Sequence, residues 1–219
     1  MIPSSLLDQD QQEGGRSGRF NSPIARGLPL LTWAVVLRRA LAGRTVRKLV
    51  VTWKEDVRRW HPGQTWIWQA GGFGVFDPGI NALLIVTRIM PAPIFVQQAD
   101  LQFPENADAP IAASLILSTG AADEDLRAEF DWRQTGAQTW DIEVGTEDGG
   151  TVALRQGGSR LEVDGAVVVD APSEEYPGIY ARFDALLRTG QSEVDAAPLR
   201  LAADAFLLAR RVTVEAFAS

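Results

Sequence analysis

The fold of this chain is decided by residues 95–156, FVQQADLQFPENADAPIAASLILSTGAADEDLRAEFDWRQTGAQTWDIEVGTEDGGTVALRQ. Runs rich in β-branched and aromatic residues alternate there with turn-forming residues, which is typical of short strands. The five runs are Phe95–Phe103, Ile111–Ser118, Leu126–Arg133, Thr139–Val144 and Thr151–Gln156. Glycine pairs at residues 149–150 and 157–158 suit tight turns, because glycine adopts positive φ angles at little cost. The spacing therefore indicates an antiparallel sheet, which a hairpin turning at Asp164-Gly165 extends.

Helical patterns flank these strands on both sides. Before them we predict helices over Leu31–Ala42 and Asp77–Ile89, with a strand over Thr45–Trp53 between the two. After them we predict helices over Glu174–Arg188 and Pro198–Ala209 and a closing apolar run over Val212–Phe217. Helices gathered at the ends and strands in the middle predict an α+β fold, an open and mainly antiparallel sheet with helices on one face. The other face would be apolar and would need cover, which favours self-association as a homodimer.

Composition narrows the domain organisation and the class of function. The first 27 residues have no helical or strand periodicity, so we expect a disordered or aberrant tail and one domain over residues 28–219. A net charge of -7 without a dense Lys/Arg run argues against nucleic acid or an anionic membrane as the main partner. The chain has no cysteine, and its apolar runs are too short to span a bilayer. We read it as cytoplasmic.

The candidate chemistry is concentrated in residues 53–86, WKEDVRRWHPGQTWIWQAGGFGVFDPGINALLIV. We expect a long aromatic loop over Lys54–Gly72 that holds several tryptophans and His61, the single histidine of the chain. Aromatic faces beside carboxylates and amides suit a sugar, whose C–H faces stack on rings while its hydroxyls need hydrogen-bond partners. A packing role for the tryptophans is the alternative.

Asp77 and Asn81 are four residues apart, so a helix places both side chains on one face within reach of a common ligand. The alternative is that Asp77 caps the helix and Asn81 faces solvent. His61 has no second histidine or cysteine with which to hold a metal, so a structural or hydrogen-bonding role is expected. The glycines of this segment lack the spacing of a dinucleotide fingerprint.

Residues 51–83, VTWKEDVRRWHPGQTWIWQAGGFGVFDPGINAL, resemble the D-galactose and L-arabinose 1-dehydrogenases, a branch of the Gfo/Idh/MocA oxidoreductases. The resemblance continues in FPENADAPIAA, residues 103–113, and in EEYPGIYARFDALLRTGQSEVDAAPLRLAADAFLLARR, residues 174–211. It covers Arg44–Phe217 in all. It implies an N-terminal Rossmann domain that holds NADP or NAD, and a C-terminal domain that supplies the sugar pocket and the dimer interface. A hydride would leave sugar C1 to give a lactone.

The resemblance also implies roles for individual residues. Asp77 takes the position of the base or proton relay for the anomeric hydroxyl, and Asn81 that of a hydrogen-bond partner of the sugar. Glu55, His61 and Trp140 resemble pocket residues, and Trp60 is a looser candidate. These six side chains are the predicted site.

The chain departs from the family at its beginning. The Glu-Lys-Pro motif of the family's nucleotide domain, with its catalytic lysine, is absent from the sequence. We therefore expect a truncated substrate-binding domain that is inactive alone and binds no nicotinamide dinucleotide by itself. The alternative is a non-enzymatic carbohydrate-binding or self-association module. Which aldose fits, and whether the intact parent uses NAD or NADP, stays open.

Overall fold

A nine-stranded sheet forms the body of the described chain, which the computed structural model gives for residues 37–170 and 175–218, the side chains of residues 175–179 excepted. The strands are β1 (Val46–Lys54), β2 (Phe95–Pro104), β3 (Ala112–Ser118), β4 (Asp125–Asp131), β5 (Thr139–Thr146), β6 (Thr151–Arg155), β7 (Arg160–Val163), β8 (Ala166–Asp170) and β9 (Arg210–Val214). The helices are α1 (Val57–Trp60), α2 (Phe76–Ile89), α3 (Glu175–Thr189) and α4 (Ala197–Leu208), with short 3-10 helices at Thr65–Trp68 and Gln156–Gly158. Every strand and long helix predicted from residue 45 onward is confirmed.

The strand order is β8-β7-β6-β5-β1-β4-β3-β2-β9. Two pairings are parallel, β1 with β4 and β2 with β9, and the others are antiparallel. The mainly antiparallel sheet is thus confirmed. The parallel pairing of β1 with β4 brings the carboxyl ends of two central strands to the same edge of the sheet, and the candidate site lies at that edge.

Helices α2 and α4 pack together on one face of the sheet. Alternate strand residues point into this layer, among them Leu49 and Val51 on β1 and Leu126 and Ala128 on β4, all fully buried. Burying each leucine or valine among them stabilises the fold by roughly 1.5 to 3 kcal/mol. The packing is close: a Cβ atom at Gly79 of α2 would come within 3.1 Å of the Phe130 ring. One layer of helices on one sheet face is the predicted α+β architecture.

The open face of the sheet is more polar than the sequence suggested. The row that crosses the sheet at Thr52 runs through Glu129 and Ser114 in one direction and Asp141 in the other. The prediction of an apolar open face was wrong, because these strands alternate apolar residues on the core face with charged and polar ones outside. Some large apolar side chains are exposed on strands, among them Ile116 and Val168, but more lie on α3 and α4, namely Tyr180, Phe183, Leu187, Leu199, Phe206, Leu207 and Leu208.

Two differences concern the ends of the predicted elements. The aromatic loop predicted over Lys54–Gly72 contains α1 and a 3-10 turn, because Asp56 accepts a hydrogen bond from the Arg58 N–H at 3.0 Å and so caps α1. Of the helix predicted over Leu31–Ala42, residues 37–41 are helical. The predicted tail over residues 1–27 and residues 28–36 lie outside the described residues, so the domain boundary stays a prediction.

The start of α2 is fixed by a close backbone approach at Gly74. Its φ angle is +54°, and a Cβ atom there would overlap the carbonyl oxygen of Pro110. The same carbonyl accepts a hydrogen bond from the Val75 N–H at 2.8 Å, and the Asp77 N–H bonds to the Gly74 carbonyl at 2.8 Å. Gly74 therefore lets the β2–β3 connection set where α2 begins, and with it the place of Asp77.

Gly74→Ala should destabilise the fold more than Gly71→Ala. Both glycines have positive φ angles, which cost alanine about 1 to 2 kcal/mol, but Gly71 has open space around its missing Cβ. The overlap with Pro110 should add about 1 to 3 kcal/mol for Gly74 alone. Urea unfolding of both variants measures the difference. Equal losses would contradict the role of Pro110.

Candidate functional site

The site begins where β1 leaves the sheet. The Glu55 N–H donates to the Asp131 carbonyl at 2.9 Å, and the Val57 N–H donates to the Trp132 carbonyl at 3.1 Å. These two bonds tie the start of the aromatic loop to the end of β4. They fix the Glu55 backbone, and so its carboxylate is directed by the sheet.

Glu55 carries a buried carboxylate, only 1% exposed. Its Oε2 accepts a hydrogen bond from the Trp140 Nε1–H at 2.9 Å. Its Oε1 lies 3.4 Å from His61 Nε2, but it has no hydrogen-bond partner among the described residues. Because burial of a carboxylate is costly without partners, Glu55 is a group with unused hydrogen-bonding capacity.

His61 lies between two carboxylates. It ends α1, where its N–H donates to the Val57 carbonyl at 2.8 Å, and its side chain is 5% exposed. The Nε2 atom faces Glu55, while Nδ1 lies 3.6 Å from Asp77 Oδ2 and 3.4 Å from Gln64 Oε1. An imidazole in this place can take a proton on one side and pass one on the other. His61 can therefore take part in proton transfer in addition to the predicted structural or hydrogen-bonding role.

Asp77 and Asn81 lie on one face of α2, as the spacing predicted. The alternative, that Asp77 caps the helix and Asn81 faces solvent, is wrong in both parts. The N-cap residue is Val75, and Asn81 is buried, at 2% exposed. The Asn81 Oδ1 atom has no hydrogen-bond partner among the described residues. The Asp77 side chain is 16% exposed and lies in the first turn of α2, where the helix dipole favours a negative charge.

Tryptophan rings form one wall of the site. Trp140 stacks on Trp53 with 5.7 Å between ring centroids, and Trp60 packs against Trp140 at 5.0 Å. The structure therefore brings the predicted Trp60 and Trp140 together beside Glu55. Trp66, from the same segment, is half exposed and makes none of these ring contacts.

Two neighbours of His61 were missed from the sequence. Trp132 is fully buried, and its ring centroid lies 5.4 Å from that of His61. Gln64 faces His61 Nδ1. Trp132 follows β4, which pairs with β1 in parallel, so only the parallel pairing could have placed it at this edge. Gln64 had no signal beyond its position three residues after His61.

The third carboxylate of the segment, Asp56, is separate from the site. Hydrogen bonds from the Arg58 guanidinium lower the pKa of the Asp56 carboxyl below its usual value. Asp56 is thus engaged in capping α1. In the part of the chain that the structure describes, no group of three or more His, Asp or Glu side chains could hold a metal ion, and no helix is long and apolar enough to cross a membrane.

No protein-family model matches the chain, but comparisons with known proteins found similar sequences and structures. The galactose 1-dehydrogenase of Pseudomonas fluorescens is 46% identical over 192 residues, 86% of this chain and 62% of the relative. The crystal structure of the D-galactose-1-dehydrogenase protein from Rhizobium etli is 51% identical, with a TM-score of 0.80 over 90% of this chain and 62% of that chain. This chain is a homologue of galactose 1-dehydrogenase. It spans about 62% of the length of these relatives.

More distant structures share the fold alone. A 3-ketoreductase from Actinomadura kijaniata, solved with NADP and TDP-benzene, is 15% identical with a TM-score of 0.66, over 89% of this chain and 63% of its own. The UDP-N-acetylglucosamine 3-dehydrogenase of Acidithiobacillus ferrooxidans is 15% identical with a TM-score of 0.61, over 85% and 58%. The resemblance seen in the sequence is confirmed at the level of galactose 1-dehydrogenase. The L-arabinose branch stays a prediction.

Trp140→Phe should show how much the Glu55 carboxylate depends on its indole donor. The variant keeps an aromatic ring but leaves Oε2 without that bond, so we expect a loss of roughly 1 to 3 kcal/mol in the free energy of unfolding. Trp66→Phe, at a half-exposed ring, is the matched control and should stay within about 0.5 kcal/mol. Denaturant unfolding compares them. A Trp140→Phe protein as stable as the control would show that the bond contributes nothing.

Proposed function

We propose that this chain is the substrate-binding domain of an NAD(P)-dependent aldose 1-dehydrogenase. Its substrate is D-galactose or L-arabinose, which the intact enzyme oxidises to the lactone. The observation that carries the proposal is the series Asp77, His61 and Glu55, whose imidazole lies 3.6 Å from one carboxylate and 3.4 Å from the other. Homology with galactose 1-dehydrogenase over 86% of the chain supports it.

Asp77 is the catalytic residue of this proposal. It is the most exposed of the three titratable side chains in the series, and it removes the proton of the anomeric hydroxyl. His61 lies behind it and accepts that proton on the way to Glu55. The near-complete burial of Glu55 favours this role through His61, although a direct hydrogen bond to a sugar hydroxyl remains part of the proposal.

The sugar is held by the remaining predicted residues. Asn81 accepts a hydrogen bond from a sugar hydroxyl through Oδ1. This atom has no hydrogen-bond partner among the described residues. Trp140 and Trp60 present ring surface against which the C–H groups of the sugar pack. Such a combination of one amide, one carboxylate and two rings selects a polyol over an apolar ligand of the same size.

The cofactor is assigned to the part of the relatives that this chain does not match. Hydride transfer from C1 is the chemistry that NAD or NADP supplies in an intact dehydrogenase. Among residues 37–170 and 175–218, no strand leads through a glycine-rich turn into a helix N-terminus that could cradle a pyrophosphate. We therefore expect the chain alone to bind no dinucleotide, and no step through the cofactor is assigned to its residues.

Assembly and location complete the proposal. We place a homodimer contact on the open sheet face, where Arg155 lies 3.2 Å from Asp141 and Ile116 is exposed. The polar character of this face fits a contact made by charge as well as by area. Sedimentation of two variants tests this placement: Ile116→Asp changes the open sheet face, and Phe183→Asp changes the exposed apolar surface of α3. Only Ile116→Asp should shift a dimer toward monomer. A cytoplasmic location stays a prediction.

The alternative from the sequence was a non-enzymatic carbohydrate-binding or self-association module. Identity of 46% with a dehydrogenase favours descent from an enzyme. The two functions differ in whether Asp77 performs chemistry once a cofactor domain is present.

Asp77→Ala should abolish most of the turnover of a hybrid enzyme that carries a cofactor domain. The part of the Rhizobium etli protein that this chain does not match, joined ahead of Leu41, supplies the nucleotide domain in a hybrid enzyme. The hybrid should oxidise galactose or arabinose. Asp77→Ala should lower its kcat by about a hundred- to ten-thousand-fold, because proton transfer by a positioned side chain accelerates a reaction by that factor. Asp125→Ala, at an exposed carboxylate, is the control. If Asp77→Ala leaves the turnover of the hybrid unchanged, Asp77 has no catalytic role. In a separate experiment, calorimetry of the unfused chain with NADP should show no binding.

Asn81→Leu should separate binding from stability. The empty chain loses an acceptor that has no described partner, so its free energy of unfolding should be unchanged or higher. Sugar binding should weaken by roughly 1 to 3 kcal/mol, because a hydroxyl of the sugar is left unpaired. Unfolding and calorimetric titration with galactose give the two values. A destabilised variant with unchanged sugar affinity would mean that Asn81 is a structural residue.

A further inference from the structure

The segment after β9 is fastened to the turn that follows β2. The Asn106 side-chain amide pairs with the backbone of Phe217 twice: Nδ2 donates to the Phe217 carbonyl at 2.9 Å, and the Phe217 N–H donates to Oδ1 at 2.9 Å. Two bonds from one planar amide fix the position and the direction of that peptide. The Phe217 side chain is therefore held in one place against the aromatic loop.

The Phe217 ring touches both limbs of the loop that carries His61. On one limb, the Arg58 guanidinium carbon lies 5.7 Å from the ring centroid. On the other, Trp68 packs at 5.7 Å between centroids. Arg58 also binds Asp56, the cap of α1, and His61 ends that helix. One ring thus spans the loop on either side of His61.

A line of rings continues from Phe217 to the imidazole. Trp68 meets Trp132 edge-on at 5.1 Å, and Trp132 lies 5.4 Å from His61. We call Phe217, Trp68 and Trp132 the aromatic brace. Trp132 is fully buried, so it cannot shift unless its neighbours shift. The Trp68 carbonyl accepts a hydrogen bond from the Asp108 N–H at 2.8 Å, so the turn that anchors Phe217 anchors Trp68 as well.

The Phe217 end of the aromatic brace has the loosest packing around it. A cavity of about 140 Å³ lies beside Trp68, Asn106 and Phe217. Besides these residues, the cavity is lined by Thr65, Pro104 and Ala107, so removal of the Phe217 ring would enlarge the space beside Trp68. On the side that faces this cavity, the position of the Trp68 ring therefore depends on Phe217 and on the Asn106 amide that fixes Phe217.

We propose that Phe217 is a positioning residue for His61, acting through the aromatic brace and through Arg58, and that Asn106 fixes it in that role. The brace sets the distance between the imidazole and the two carboxylates on either side. Its effect on sugar binding rests on the function proposed above, while its effect on the imidazole does not.

The test uses His61 as its own probe, since the chain has a single histidine. The His61 Cε1–H and Cδ2–H signals carry a ring-current shift from Trp132 that a proton NMR spectrum of the full chain reports. Phe217→Ala should change that shift and weaken galactose binding, measured by calorimetry, by about two- to tenfold, the range of one aromatic contact. Asn106→Ala should change both in the same direction. Phe217→Tyr, which keeps the ring, should restore both.

Phe183→Ala is the matched control, because Phe183 is an exposed ring on α3. It should leave the His61 signals and the affinity unchanged. If Phe217→Ala does not fold, Phe217→Leu with Asn106→Ala asks the same question. Folded variants of Phe217 and Asn106 whose His61 signals equal those of the parent chain would overturn the proposal. A parent chain that binds no galactose would instead refute the sugar site, while the His61 signals would still decide on the brace.

Discussion

The buried carboxylate of Glu55 is the constraint on which the site depends. A carboxyl group that is 1% exposed must find hydrogen-bond partners inside the protein, and the indole of Trp140 is one of them. Trp140 is in place because β5 pairs with β1 so that Trp53 and Trp140 face each other. A slip of one residue in that register would turn Trp140 to the open face of the sheet. Sheet register and site chemistry are therefore specified together.

A second constraint is the parallel pairing of β1 with β4 in a sheet that is otherwise mainly antiparallel. It allows the backbone after β1 to bond to Asp131 and Trp132 after β4, so both strands deliver side chains to one edge. Helix α2 packs across the same strands and begins at this edge, because Gly74 lies against Pro110. Carboxylates from a strand end and from a helix start meet on either side of His61 for this reason.

Much of this arrangement could be predicted from the sequence, and the misses have physical causes. Alternation along each strand and glycine at each turn are local signals, so β2 to β8 were found. Pairing partners are not local: the parallel contact of β4 with β1 joins residues far apart in the chain, and Trp132 was missed with it. Asp77 and Asn81 were found because helical spacing alone aligns them. The polarity of the open face was misjudged, since it depends on which alternate residues face inward.

The choice between a packing and a binding role for the tryptophans turns on unpaired polar atoms. Buried side-chain atoms without a hydrogen-bond partner in the described chain include the indole N–H groups of Trp53 and Trp132, Glu55 Oε1 and Asn81 Oδ1. Each costs roughly 1 to 3 kcal/mol relative to a paired group. Phenylalanine and leucine would fill the same space without that cost, so stability alone does not account for these residues. Two of these residues, Glu55 and Trp132, lie beside His61. Unpaired polar groups there are what a polar ligand site requires, and this favours binding over packing.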